Sequence, residues 1–219
     1  NIRGWVTSIN NAQLTSDGTK NNDTNDYFGM ELTYNQSEGG SFANTPFYNG
    51  NISAVKWKSP FADAGAEGQR SYVLGYDKSN KLESATYRKR GATSWDQDNN
   101  TLDETMKYDH NGNILKMERN TIERTLQTNF TLLASAKELD NLTYTYVSGK
   151  GNQLTKVEDG SNEDGFNNGG TQSIEYTYDD NGSLTKDVNK NIDEIEYNIL
   201  GKPSRIEYLD GKVVTYNYD

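Results

Sequence analysis

Tyr108-Asp109-His110-Asn111-Gly112-Asn113-Ile114 is the stretch whose reading decides the fold. Asp109 is suited to open a type I turn, with its carboxylate accepting a backbone N–H. His110 and Asn111 are the central residues, and Gly112 takes the left-handed conformation that closes a three-residue hairpin with a bulge. That slot requires Gly, or Asn at modest cost, because φ is positive there. Ile114 then begins the returning strand.

The same register recurs along the chain. Tyr76-Asp77-Lys78-Ser79-Asn80-Lys81-Leu82 and Tyr178-Asp179-Asp180-Asn181-Gly182-Ser183-Leu184 are further copies. Tyr197-Asn198-Ile199-Leu200-Gly201-Lys202-Pro203 is another, with Asn replacing Asp. The left-handed slot falls on Asn80, Gly182 and Gly201. After Tyr146 it falls on Asn152, with a two-residue insertion. The strands entering these turns alternate: Tyr144 with Tyr146, Tyr176 with Tyr178, Ile195 with Tyr197, and Val214 with Tyr216 and Tyr218 each share a face. Thr and Glu point the other way, a half-buried antiparallel pattern in strongly β-forming residues. The tyrosines read first as cross-strand packing groups.

Composition fits a thin, solvated sheet. Only 32% of the 219 residues are hydrophobic and the mean hydropathy is −0.96, low for a chain that must fill a globular core. Fifteen tyrosines and three tryptophans argue against disorder despite the net charge of −10. That acidic balance speaks against a nucleic-acid partner; Arg88-Lys89-Arg90 is one short basic cluster. No apolar run approaches a membrane span. The absence of cysteine removes disulfides, thiolate metal sites and cysteine nucleophiles.

Residues 1–70 are the least regular part and residues 71–219 the clearer repeats, read together as a single segment. Asp26 to Tyr34 reads as a strand with a glycine kink. Tyr48-Asn49-Gly50-Asn51-Ile52 reads as a tight Asn-Gly hairpin before a strand through Val55 and Trp57. One segment departs from the pattern: around residues 128–139, Leu132, Leu133, Ala134, Ala136 and Leu139 read as either a short helix or a covering loop. Asn1-Ile2-Arg3-Gly4 lines up with Asn198-Ile199-Leu200-Gly201, and Tyr218-Asp219 starts another copy. The chain therefore reads as an excerpt of a longer protein.

These copies resemble the YD repeats of Rhs proteins, large bacterial surface or secreted proteins of the polymorphic-toxin class. The resemblance is strongest from Tyr72 onward. It implies an all-β fold of consecutive antiparallel hairpins, a curved or spiralling sheet forming part of a shell. It also implies a cell-surface or secreted location, a shell that encloses or displays a C-terminal effector, and the remainder of the same polypeptide as partner. The core signature and self-cleavage site that follow the repeats in that family are not in this chain, so the carry-over stops at the scaffold.

Candidate chemistry is sparse, and no cofactor is expected. His110 sits at a hairpin tip, a poor place for a triad histidine. Glu194 with Glu196, and Glu163 with Asp164, are acid pairs that read as a solvated strand face and a loop rather than a glycosidase pair. Asp96-x-Asp98-x-Asn100 has alternating oxygen ligands, but Thr101 stands where a calcium loop needs Gly and Lys107 where it needs Glu. Asp159-x-Ser161-x-Glu163 places its glycine late, at Gly165. Two function classes remain: a non-catalytic scaffold, and a module binding surface glycans or protein through Tyr and Trp faces. Trp5, Trp57 and Trp95 are the stacking candidates for the second.

Overall fold

The computed structural model describes residues 3–60, 68–96, 100–128, 130–149, 151–161, 164–169 and 172–218, with Asp96 described in its backbone only. Asn1 and Asp219, where repeats read as cut through, lie outside the described residues. The chain divides into two compact units, Asn1–Thr105 with Arg119–Lys137, and Met106–Glu118 with Glu138–Asp219. All strand pairs with a defined register are antiparallel, and no α-helix occurs among the described residues.

In the first unit, β1 (Ser8–Ile9), β2 (Gly29–Thr33), β3 (Ala54–Lys58), β4 (Gln69–Tyr76) and β5 (Leu82–Arg90) pair in chain order. β6 (Trp95–Asp96) folds back on the end of β5, through Arg90↔Trp95. The first residues of β7 (Glu104–Tyr108) pair along β5, through Ser84↔Thr105. The registers assign the two faces, because paired residues share a face and neighbours alternate. One face carries Ala54, Lys56 and Lys58 on β3, beside Val73, Ser71 and Gln69 on β4 and Thr86 and Arg88 on β5. Its small core is Phe42, Ala54 and Trp95, with Val73 packed against it. The other face carries an aromatic ladder in which Trp57 stacks on Tyr72 at 5.7 Å and Tyr72 meets Tyr87 edge-on at 5.6 Å.

Tyr48 to Ile52 does not form the tight hairpin its Asn-Gly pair suggests. It is a bend within the long connection from β2 to β3, and Phe47 N–H donates to the Tyr34 carbonyl at 2.8 Å. The side chain of Asn49 instead donates to Asn80 Oδ1 at 2.5 Å. An apolar strand on one side of Asn-Gly is not enough when the preceding strand ends more than ten residues earlier.

The helix or loop expected near 128–139 is a strand. β8 (Ile114–Leu126) and β9 (Leu132–Tyr146) are long neighbours in the sheet, and their far ends belong to the first unit. Gln127 N–H donates to the Thr131 carbonyl at 2.8 Å and Phe130 N–H to the Gln127 carbonyl at 2.9 Å, which closes the hairpin between them. Leu, Ala and Lys are good helix formers, but such propensity is readily overridden by tertiary context, and a long partner strand satisfies the backbone of Leu132–Leu139 instead. Exposure along β9 alternates through Ser135, Lys137 and Leu139 and then changes phase at Asp140.

In the second unit, the remainders of β7, β8 and β9 stand beside β10 (Leu154–Asp159). A separate open sheet follows: β11 (Tyr176–Tyr178), β12 (Leu184–Asp187), β13 (Ile192–Tyr197), β14 (Pro203–Tyr208) and β15 (Val213–Thr215). A single 3-10 turn, Val188–Lys190, interrupts it. The Asp187 carboxylate caps that turn at the Lys190 N–H (3.2 Å).

Candidate functional site

The repeated turns share one geometry. Asp77 N–H donates to the Lys81 carbonyl at 2.9 Å and Asn80 N–H to the Asp77 carbonyl at 3.0 Å. Asp109 with Asn113 and Gly112, Asp179 with Ser183 and Gly182, and Asn198 with Lys202 and Gly201 repeat the pair. The left-handed residues are Asn80, Gly112, Gly182 and Gly201, with φ of 63°, 92°, 84° and 70°. Each opening side chain accepts two backbone N–H groups: Asp109 Oδ1 takes those of Asn111 and Asn113, both at 2.8 Å. The Lys81 backbone N–H is the largest influence holding the Asp77 carboxyl below its usual range. Burial pushes Asp109 up, but hydrogen bonds from Asn113 and neighbouring backbone N–H groups outweigh it, so its carboxyl also sits low.

A fifth turn of the same form joins β14 to β15, with Tyr208 as opener and Gly211 at φ 81°. Sequence reasoning passed over it because no Asp follows a Tyr at its start, although Asp210-Gly211 is itself a hairpin signal. After Tyr146 the reading fails in detail. Val147 N–H donates to the Gln153 carbonyl, and the left-handed residues are Gly149 and Gly151 rather than Asn152. Two glycines were present to take positive φ without strain, so Asn152 had no need to.

The tyrosines do more than pack. Tyr76 Oη donates to the Ile52 carbonyl at 2.9 Å, Tyr146 to Ile114 at 2.8 Å, Tyr197 to Leu184 at 2.7 Å and Tyr218 to Pro203 at 2.6 Å. The Tyr178 hydroxyl likewise meets the backbone of Leu154. In each case the acceptor is the residue that leaves an earlier turn or bend, with one further reversal of the chain lying between the two for Tyr146, Tyr197 and Tyr218. Register shifts sit at Gly75/Tyr76, Leu154/Lys156, Thr177/Tyr178 and Glu196/Tyr197, where a bulge interrupts the ladder. Burial pushes the phenols of Tyr76, Tyr146, Tyr178 and Tyr197 up, so they remain protonated donors through the neutral range. The Tyr108 hydroxyl donates to Met106 Sδ at 3.4 Å.

The three tryptophans each pack on neighbouring rings, and of them Trp95 is buried while Trp5 and Trp57 are half-buried. Trp5 packs on Tyr34 at 5.1 Å and lies under the Arg3 guanidinium at 5.1 Å. Trp57 belongs to the Tyr72–Tyr87 ladder. Trp95 is 8% exposed, sits edge-on to Phe42 at 5.1 Å and carries Arg90 over its ring at 5.6 Å.

Beside Trp95 the first unit holds a polar cleft of about 280 Å³. Its walls include Asn11, Gln13, Thr15, Gln69, Arg90 and Trp95. The wall at Asn11 is rigid: its Nδ2 donates to the Thr15 carbonyl (2.6 Å) and Asp17 Oδ2 (3.0 Å), and its Oδ1 accepts the Gln13 and Thr15 N–H groups. Gln69 Nε2 fixes the Ala12 carbonyl at 2.8 Å. Gly29 lets the strands close here, since a Cβ on it would lie 1.9 Å from the Asn11 carbonyl oxygen. The acids are balanced. Lys20 and Lys56 lie 2.9 and 3.1 Å from Glu31, and Lys56 reaches Glu38 at 2.9 Å. Burial raises the Glu31 carboxyl, but these two lysines outweigh it and hold it low. Backbone N–H groups of Thr19 and Asn21, joined by the Asn11 amide, hold Asp17 far below the carboxylate range.

No family model matches the chain, and no curated protein matches it. Among solved structures it is similar to a chain in the crystal structure of TcdB2-TccC3-TEV, at 14% identity and a TM-score of 0.45, covering 83% of this chain and 9% of that one. It is similar in the same degree to a chain of the Photorhabdus luminescens Tc holotoxin pore, at 13% identity and a TM-score of 0.45, with the same coverage. The chain thus spans about 9% of the length of the structures it matches. Likeness at this level assigns neither a family nor a function.

The remaining candidates stay apart from the cleft. His110 is an exposed turn residue. Glu194 and Glu196 face Arg205 at 3.6 and 3.2 Å, on the paired strands β13 and β14. Asp98, Glu163 and the side chain of Asp96 lie outside the described residues. Asp159 Oδ1 is occupied by the N–H groups of Ser161 and Asn141 and by Ser161 Oγ. Among the described residues no three acidic or histidine groups cluster to hold a metal, and no helix is long and apolar enough to cross a membrane.

Proposed function

We propose that this chain is a non-catalytic structural segment of a larger Rhs-type YD-repeat protein, located at the bacterial surface or secreted. Its task is to build part of a β-shell that displays or encloses a C-terminal effector. The observation that carries this reading is the tyrosine latch. Each tyrosine fastens its own turn to an earlier one through a phenol-to-carbonyl bond, so the repeated residues are spent on holding turns together rather than on meeting a ligand. Trp95 points the same way, since at 8% exposure it offers no bare ring face for stacking on a glycan, and Trp5 and Trp57 are half-buried beside Tyr34 and Tyr72.

The test uses the full-length protein. Electron microscopy should show a shell, and its C-terminal region should resist protease until the repeats are unfolded. A C-terminal region cut equally fast before and after unfolding would sink the reading, as would turnover of a glycoside substrate by the repeat segment.

A further inference from the structure

Among the described residues several cations have no carboxylate partner, although the chain has 32 acidic and 22 basic residues. Three of them, Lys58, Arg88 and Arg90, converge at one end of the β3–β5 face. Arg88 donates to the Ser41 carbonyl at 3.1 Å, and among the described residues the Arg90 side chain makes only its contact with the Trp95 ring. Arg90 alone of the three lines the polar cleft. Every other charge there is answered: Glu31 and Glu38 by Lys20 and Lys56, and Asp17 by backbone N–H groups. What the cleft leaves unmet is one planar guanidinium.

We propose that this cleft is a binding site for a small polar molecule bearing a single carboxylate, which Arg90 receives. A guanidinium over an indole, here 5.6 Å from the ring centroid, is attracted to the ring face, while the N–H groups along its edges stay available. Those edges match a carboxylate in a two-point pair. Among the described residues Gln13 makes no side-chain hydrogen bond, and Gln69 uses its Nε2 on Ala12 while its Oε1 has no partner. Together with the Thr15 hydroxyl these groups suit hydroxyls or amides on the same ligand. At about 280 Å³ the cleft falls just under the ~300–1,000 Å³ of drug-sized sites, which limits the occupant to one sugar acid or an organic acid of that size. The Asp17 carboxylate is saturated in hydrogen bonds but keeps its charge, which disfavours a second anionic group. This inference does not rest on the scaffold reading, because a shell segment and a solitary protein could each carry such a cleft.

The test is calorimetric titration of the folded chain with D-glucuronate, D-glucose, acetate and inorganic phosphate at one ionic strength, with tryptophan fluorescence as a second readout. Saturable binding of glucuronate but not glucose is expected, with a change in Trp95 emission that Trp95→Phe removes. Arg90→Gln should weaken glucuronate by roughly ten-fold or more, and Arg90→Lys by less, with circular dichroism unchanged. Lys58→Gln, which removes a cation of the same face outside the cleft, should leave binding intact. Glucuronate tighter than acetate would place the sugar hydroxyls on the amides; equal affinity would mean that the carboxylate alone is read, and both outcomes support the site. The proposal is overturned if no carboxylate saturates, if Arg90→Gln binds as well as the parent, if Lys58→Gln loses as much as Arg90→Gln, or if phosphate binds as well as glucuronate.

Discussion

The hairpins at Asp109–Asn113 and Gln127–Thr131 have the same backbone and almost nothing else in common. Both make the opener-to-fifth-residue and fourth-to-opener hydrogen bonds, between 2.8 and 3.2 Å. The first has Asp109 to gather N–H groups and Gly112 at φ 92°; the second has Gln127 and, at φ 63°, Phe130. Phe130 is 87% exposed, so nothing in the described structure repays its left-handed backbone. The pairing of long strands therefore imposes the turn, and the turn residues decide only how comfortable it is. Asp and Gly are signs of this joint rather than conditions for it.

Gly112→Val should produce the largest effect, because a β-branched residue at positive φ is strained. A loss of about 2 kcal/mol is expected in urea unfolding, and an unchanged midpoint would show that the two turns are equally indifferent to residue type. Phe130→Gly should move the other way, gaining about 1 kcal/mol as the left-handed strain is relieved. If thermal unfolding shows no gain, Phe130 has a contact that the folded chain uses. Tyr146→Phe, which frees the Ile114 carbonyl beyond the Asp109 turn, should cost about 0.5–1 kcal/mol; a silent substitution would reduce the latch to packing.

The smallest effect separates the two hairpins by pH. The folded carboxyl of Asp109 sits below its usual value, so its contribution is full above the unfolded value of about 3.9 and is lost as pH falls through the lower folded value. Amide exchange read by NMR at Asn111 and Asn113 should quicken relative to that at Phe130 as the pH drops below about 4, because Gln127 has no proton to gain. Parallel behaviour of the two hairpins would break the comparison.

This contrast also explains what the sequence could disclose. Turns with Asp and Gly were readable because the side chains carry the conformational demand locally. The Gln127–Thr131 turn was not, since its cause is the strand pairing on either side, and Leu132–Leu139 offered helix-forming residues to a local reading. The cleft was still less legible. Asn11, Gln13, Gln69, Arg90 and Trp95 meet only after the β3–β5 register is set, and no spacing in the chain relates them. Arg88-Lys89-Arg90 was visible as a basic cluster, but alternation sends Lys89 to the opposite face, and of the two arginines left together only Arg90 lines the cleft. The Tyr latch lay between: the tyrosines were plain, while their acceptors are backbone oxygens that leave no mark in a sequence.

That latch has a consequence for how such a chain can vary. The phenol and its carbonyl are 24 residues apart for Tyr76, 32 for Tyr146, 13 for Tyr197 and 15 for Tyr218. The fastening joins neighbours in space and takes no account of the loop of chain between them. Strands can lengthen and connections can acquire insertions without a hairpin losing its hold on an earlier one. A fold assembled this way tolerates drift in its period, and it is better measured in fastenings than in residues.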